Sequence, residues 1–151
     1  GTLKDVTEEF RRKLSLHNKF DNICILLPTA PLIKKERIIE AYNYLVEKDA
    51  SSVTPVVKFS YPIWRSFKIN EKDRLEMIWP EYLDSRSQDL QAVYHDTGSF
   101  YWIKTQDFIK GKSLFTGNNI PLVLNDYEVQ DIDTLEDWEI AELKYKLIYD
   151  Q

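Results

Sequence analysis

The sequence predicts an α/β fold. Three observations carry that expectation: an amphipathic helical pattern at the amino end, the strand-like run from Asn22 to Leu27 closed by Pro28, and a second helical pattern after a proline-bounded loop. Helix, strand, loop and helix in that order is the alternation of an α/β domain. At 151 residues the chain has the length of one domain, long enough to bury a sizeable core.

Composition narrows the classes of function. The chain is 43% hydrophobic and 30% charged, and it holds no apolar run approaching the ~20 residues of a membrane span. Its net charge is −5, which argues against nucleic acid as a partner, since that binding draws on a basic surface. The single cysteine, Cys24, sits in the apolar stretch Ile23-Cys24-Ile25-Leu26-Leu27 and reads as a small core hydrophobe. With no disulfide possible within the chain, a reducing cytoplasmic location is expected. The chain opens Gly1-Thr2-Leu3 and enters a helical pattern at once, so it reads as a piece of something longer.

Leu3, Val6, Phe10 and Leu14 recur at helical spacing with charged residues between them, and Thr2 stands where an N-cap would. His17 follows near the end of that helix and reads as a surface residue or a partner for the helix dipole. Asn22 to Leu27 reads as a strand buried on both faces, as in a parallel sheet. Pro28-Thr29-Ala30-Pro31 stops it, at the kind of strand end where α/β sheets bind ligands. A helix is expected over Lys34 to Lys48, with Ile38, Ile39, Tyr42, Leu45 and Val46 on one face. Ser52 to Phe59 is the next expected strand, in which Pro55 implies a bulge or an edge.

From Ser60 to Pro80 two runs rich in β-formers flank the polar turn Asn70-Glu71-Lys72-Asp73-Arg74, which predicts a hairpin. Its aromatics Trp64, Phe67, Trp79 and Tyr82 either cover a second copy of the chain or fold back on their own domain. Thr105 to Lys110 reads as a short helix, Ile120 to Leu124 and Tyr127 to Val129 as short strands. Thr134 to about Tyr149 reads as a helix with Leu135, Trp138, Ala141, Leu143, Tyr145 and Ile148 on a broad apolar face.

Two stretches concentrate polar chemistry. Tyr94-His95-Asp96-Thr97-Gly98-Ser99-Phe100-Tyr101-Trp102 mixes four aromatics with His, Asp and Gly. Val129-Gln130-Asp131-Ile132-Asp133-Thr134 sets two carboxylates two residues apart, hence on one face of an extended segment. Such a pair suits a hard divalent cation such as Mg²⁺. Equally, Asp133 is a helix N-cap completed by Glu136, and Asp131 a solvated loop residue. His95 has no second His or Cys nearby, which argues against zinc. The four glycines match neither phosphate-loop pattern.

Leu26-Leu27-Pro28-Thr29-Ala30-Pro31-Leu32, Arg86-Ser87-Gln88-Asp89-Leu90 and the two stretches above stand in an order and spacing that resemble the acylneuraminate cytidylyltransferases, most of all their pseudaminic acid branch. The resemblance spans essentially the whole chain. It implies a Rossmann-like nucleotide-diphospho-sugar transferase fold, three-layer α/β/α. Residues 1–151 would be the C-terminal portion of one such domain, with the N-terminal nucleotide-binding part and its triphosphate-gripping loop missing, so that the fragment alone would be inactive. Residues 60–90 would be a protruding dimerisation hairpin. The reaction implied is CTP plus a nine-carbon 2-keto acid sugar, a nonulosonic acid such as pseudaminic acid, giving CMP-sugar and pyrophosphate for surface glycan synthesis by a homodimer with Mg²⁺.

Carried over by residue, Asp131 and Asp133 resemble the metal-holding catalytic pair. Thr29, Pro31, Arg86, Gln88, Tyr94, Asp96, Gly98, Phe100, Tyr101 and Gln130 resemble substrate-binding positions. Leu27 stands where sialate members often carry Gln, which weighs against sialic acid. Legionaminic or sialic acid as the sugar, or a non-catalytic remnant that only dimerises, are the rival expectations.

Overall fold

The computed structural model describes residues 3–16, 20–111, 113–115 and 117–149. Eleven elements follow in order: α1 (Leu3–Leu16), β1 (Asn22–Leu26), α2 (Lys35–Glu47), β2 (Ser52–Lys58), β3 (Phe67–Ile69), β4 (Leu75–Met77), β5 (Tyr94–Asp96), β6 (Phe100–Lys104), α3 (Thr105–Gly111), β7 (Asn119–Leu124) and α4 (Leu135–Tyr149). Thr2, expected as a cap, and His17 lie outside the described residues. The architecture is mixed α/β, as expected.

β2 is the centre of the main sheet. It pairs in parallel with β7 along one edge, from Ser52 opposite Asn119 to Val57 opposite Leu124. Along its other edge it pairs antiparallel first with β6 and then with β5. β1 pairs antiparallel with the far side of β6. β1, β2 and β7 therefore share one direction and β5 and β6 run against them. The carboxyl ends of β1, β2 and β7 all emerge at one rim, and that rim carries the site.

The side-chain period of two assigns the faces. Phe100 and Trp102 of β6 point to α2, where Phe100 packs with Ala41, Leu45, Val53, Val57, Leu122 and Leu124. Tyr101 and Ile103 point the other way, into a cluster with Leu14 of α1, Ile23 of β1 and Phe108 of α3. Helices thus cover both faces, and full burial of Phe100 contributes about 2–3 kcal/mol.

Several expectations need correction. β1 is not a strand buried on both faces. Ile23 and Cys24 do reach opposite clusters, but among the described residues β1 pairs only with β6, and Leu26 is exposed. In α2 the line facing the sheet is Ile38, Ala41 and Leu45; Ile39, Tyr42 and Val46 are exposed, because each lies one residue, about 100° of helix rotation, past that line. Pro55 lies not on an edge but in the central strand, opposite a break in its partner. No strand forms over Tyr127 to Val129: Asp126–Glu128 is a 3-10 turn, tightened by Glu128, whose side chain accepts from the Asn125 amide at 3.3 Å and its Nδ2 at 3.0 Å. The broad apolar face of α4 is not buried either. Ala141 is buried, whereas Leu135, Trp138, Leu143 and Tyr145 are exposed, since α4 meets the body only along a narrow line.

The hairpin forms as expected. β3 and β4 pair from Phe67 opposite Met77 to Ile69 opposite Leu75. Asn70 fixes the turn: its side-chain oxygen accepts from the amides of Lys72 at 3.0 Å and Arg74 at 3.1 Å. Trp64 stacks near Trp79 and Tyr82, at 5.6 and 5.5 Å between ring centres, and its indole N–H donates to the Gln91 carbonyl at 2.9 Å. The aromatics therefore cover one another within the arm, while Tyr61, Phe67, Ile69 and Leu75 stay exposed.

Candidate functional site at the carboxyl rim of the sheet

Val53 faces Trp102 and Val56 faces Asp96, so three steps along β2 are matched by six along its partner. Three residues are extra. Thr97, Gly98 and Ser99 form that excursion, anchored where the Thr97 amide donates to the Pro55 carbonyl at 3.3 Å and the Ser99 carbonyl accepts from the Leu27 amide at 2.8 Å. The buried Thr97 and Ser99 hydroxyls bond to each other at 2.6 Å.

Gly98 is pressed outward at φ +60°, a left-handed conformation that glycine tolerates best. A Cβ there would lie 2.8 Å from Oδ2 of Asp131. The Asp131 carboxylate thus occupies the space that a side chain at position 98 would need. The Asp96 carboxylate is held on the other side of Gly98, accepting from the Gly98 amide at 3.1 Å and from the Tyr101 hydroxyl. Burial raises the Tyr101 phenol well above its ordinary value; the bond to Asp96 and the charges of Asp96 and Asp131 add to the shift. Tyr101 is therefore a fixed donor at neutral pH.

The hollow at this rim is lined by Val57, His95, Asp96, Thr97, Asp126, Val129, Gln130, Asp131 and Lys144. The structure brings together Asp96, Gly98, Tyr101, Gln130 and Asp131 from the sequence-derived set. Gln130 reaches Asp137 of α4 at 3.3 Å. Asp133 is not on that lining. It is exposed at the mouth of α4, where its amide, and not its side chain, donates to Asp137 at 3.2 Å. The helix cap is one residue later than expected: Thr134 Oγ1 accepts from the Asp137 amide at 3.2 Å, and Asp137 accepts from the Thr134 hydroxyl at 2.7 Å. That bond from Thr134, together with the Asp133 amide, holds the Asp137 carboxyl below its ordinary range.

The remaining candidates are dispersed. Pro31 faces a separate apolar hollow with Leu32, Ile132 and Trp138, Ala141 and Tyr145 of α4. Thr29 is half-buried in the loop after β1. Arg86 is exposed and paired with Asp89 at 2.8 Å. Gln88 lines a third hollow at the base of the hairpin arm with Lys58 to Ile63. Tyr94 is exposed on β5, and Phe100 is buried in the core.

Two groups at the rim were missed from the sequence. Lys144 of α4 donates to the carbonyls of Asp126 and Val129, both at 2.8 Å. Arg37 of α2 grips Glu128 with Nε and Nη2, each at 3.0 Å. The signal for Lys144 was a cation three residues after Ala141, the buried residue of α4. Nothing local marks Glu128.

For a metal, the donor chemistry is informative. Asp131 and Asp133 are carboxylates without an ion-pair partner among the described residues. Among the described residues no group of three or more His, Cys, Asp or Glu converges. Such donors fit Mg²⁺, which takes one or two carboxylates and completes its shell with water and phosphate, and do not fit a closed protein cage.

A mixed sheet with helices on both faces and an acidic hollow at the carboxyl rim is the arrangement of an α/β ligand-binding domain. No family model matches the chain. In sequence it is similar to pseudaminic acid cytidylyltransferase of Campylobacter jejuni, 34% identical over 128 residues that make up 85% of this chain and 55% of that protein. It is also similar to the Helicobacter pylori protein named pseudaminic acid cytidylyltransferase and UDP-2,4-diacetamido-2,4,6-trideoxy-beta-L-altropyranose hydrolase, 30% identical over 94% of this chain and 27% of that protein. The CMP-N,N'-diacetyllegionaminic acid synthase of Legionella pneumophila is 33% identical over 82% of this chain and 53% of its own length. The resemblance drawn from the four motifs is borne out. The chain spans about half the length of the Campylobacter and Legionella relatives.

Proposed function

We propose that this chain is the sugar-side portion of a Rossmann-like cytidylyltransferase that joins CTP to a nine-carbon 2-keto acid sugar, pseudaminic acid, releasing pyrophosphate. The observation that carries this is the similarity, over 85% of the chain, to a protein named for that activity. Asp131 and Asp133 would hold Mg²⁺, which when bound neutralises charge between the triphosphate and the attacking sugar oxygen. Gly98 leaves room for the Asp131 carboxylate at the rim, and Tyr101 keeps its proton on the bond to Asp96. Arg86, exposed, is free to exchange Asp89 for a sugar carboxylate, which its planar fork suits.

The likeness to a legionaminic acid synthase supports a second reading, in which the sugar is legionaminic acid. No glycine-rich phosphate loop occurs in these 151 residues, so alone they are expected to bind sugar without turning over CTP. The exposed hairpin residues are proposed to pack against a second copy, making a homodimer. The test is mass spectrometry of the products formed from CTP, Mg²⁺ and each sugar by the protein that carries this chain. CMP-pseudaminic acid is expected as the main product. No CMP-sugar from any nonulosonic acid refutes the proposal.

A further inference from the structure

Asp131 sits at the end of a short span that is held from two sides. From the α2 side, Arg37 grips Glu128 with two parallel bonds of 3.0 Å, and Glu128, buried, in turn accepts from Asn125. From the α4 side, the Lys144 ammonium donates to the carbonyls of Asp126 and Val129 and lies 3.4 Å from the Asp126 carboxylate. Two of its three donors are thereby taken up by main-chain oxygens. The Lys144 side chain is only 16% exposed, whereas the Asp126 carboxylate that pairs with it is 82% exposed and offsets little of the cost of desolvating the cation. A lysine serving only to fasten α4 would more cheaply be an apolar residue. Its bonds go to main-chain oxygens two residues or more before Asp131, and so fix backbone rather than charge.

We propose that Lys144 and Arg37, the latter through Glu128, are positioning residues that fix the place of Asp131 against Gly98. Because Gly98 has no Cβ, the Asp131 carboxylate occupies that space, 2.8 Å from where a Cβ would stand, and a shift of the span carries the carboxylate out of it. What Asp131 then does rests on the proposed nucleotidyl transfer; that it is held by this clamp does not.

The test uses Lys144→Met and Arg37→Met, with Lys146→Met on the exposed side of the same helix as control. The first readout is amide hydrogen exchange by NMR. The Glu128 and Val129 amides, which close the turn, should exchange roughly tenfold faster or more in both variants and not in the control, while the Ala141 amide within α4 keeps its protection. If instead α4 loses protection and the turn does not, Lys144 merely fastens the helix and the proposal is overturned. The second readout is kcat and KM for CTP in the protein that carries this chain. A fall in kcat of roughly tenfold or more with KM within about twofold is expected. Faster exchange with unchanged kcat overturns the positioning role. A wild-type protein that transfers no CMP at all refutes the proposed function and leaves the exchange result to decide the clamp.

Discussion

Replacing Gly98 with alanine puts one carbon where two constraints coincide. The backbone is at φ +60°, which costs an L-residue about 1–2 kcal/mol. The new carbon would also stand 2.8 Å from Oδ2 and 3.2 Å from Cγ of Asp131. Because Asp131 is exposed, its side chain can rotate away, so the collision adds little to the folding cost and instead displaces the carboxylate. Stability should therefore fall by about 1–2 kcal/mol, a drop in Tm of about 2–8 °C for a chain of this length. Activity should fall further, by about a hundredfold, as expected when a working group moves by ~1 Å.

A double-mutant cycle separates the two terms. Asp131→Ala removes the collision partner, so Gly98→Ala made in that background should retain the backbone cost and lose the coupling in activity. Gly111→Ala and Gly117→Ala serve as controls, since a Cβ at either meets nothing within 4 Å and neither has a left-handed φ. Thermal melts and steady-state rates of the wild type and the five variants make the assay. Should Gly98→Ala melt with the wild type, the left-handed backbone is not a constraint. Should its rate be unchanged, the apposition of Gly98 and Asp131 has no bearing on function.

Three further predictions address other parts of the molecule. Glu128→Gln should cost about 1.5–3 kcal/mol at pH 7, because it takes from the half-buried Arg37 the buried one of its two carboxylate partners and leaves only Glu40, at 2.8 Å. Burial alone would raise the Glu128 carboxyl, but the bonds from Arg37 and Asn125 outweigh it and lower it. A lowered carboxyl contributes stability above its unfolded value that disappears as pH falls through the folded one, so the penalty seen in urea melts should shrink below about pH 4.5; a pH-independent penalty would contradict the ion pair. Thr134→Ala should lose about 1 kcal/mol of stability as the true N-cap of α4, whereas Asp133→Asn should stay within about 0.5 kcal/mol and lose rate if it holds metal; a destabilised Asp133→Asn that keeps its rate would make the residue structural. Since Trp64 and Trp79 pack within the arm, the exposed pair is the cleaner probe of association: Ile69→Lys with Leu75→Asp, opposite charges on facing positions, should convert a dimer to monomer by light scattering with little change in Tm, and a monomeric wild type at high concentration would remove the dimer from consideration.

The alternation of elements was legible because each carries its own period: Leu14 on the first helix, the apolar run of β1, the Asn70 turn of the hairpin. What stayed hidden was non-local. β1 carries an apolar run as a central parallel strand would, yet it pairs antiparallel at the side of β6, since Ile23 and Cys24 each meet a different cluster. Tyr127 and Val129 are good strand formers, but Asn125 and Glu128 close a turn around them, and the Glu128 carboxylate is met by Arg37, 91 positions away. The cap of α4 was misplaced by one residue because Asp133 and Thr134 are both good caps, and only Asp137 chooses between them. In α4 the apolar residues were seen correctly as a face, but a sequence cannot say how much of a face finds a neighbour.

Pro55 ties the hidden topology to the site. Its carbonyl points to the β5–β6 edge, where Thr97 bonds to it, and in an extended strand the N–H of the same residue would point the same way. Proline has no such N–H, so the ladder toward that edge cannot continue through it, and a buried donor there would have been left without a partner. The three extra residues Thr97 to Ser99 occupy that gap, with Thr97 and Ser99 satisfying one another and Gly98 turned outward. The signal read as a bulge in β2 is therefore a bulge in the strand beside it. That displacement carries Gly98 to Asp131, so the geometry of the rim follows from one missing hydrogen-bond donor in the middle of the sheet.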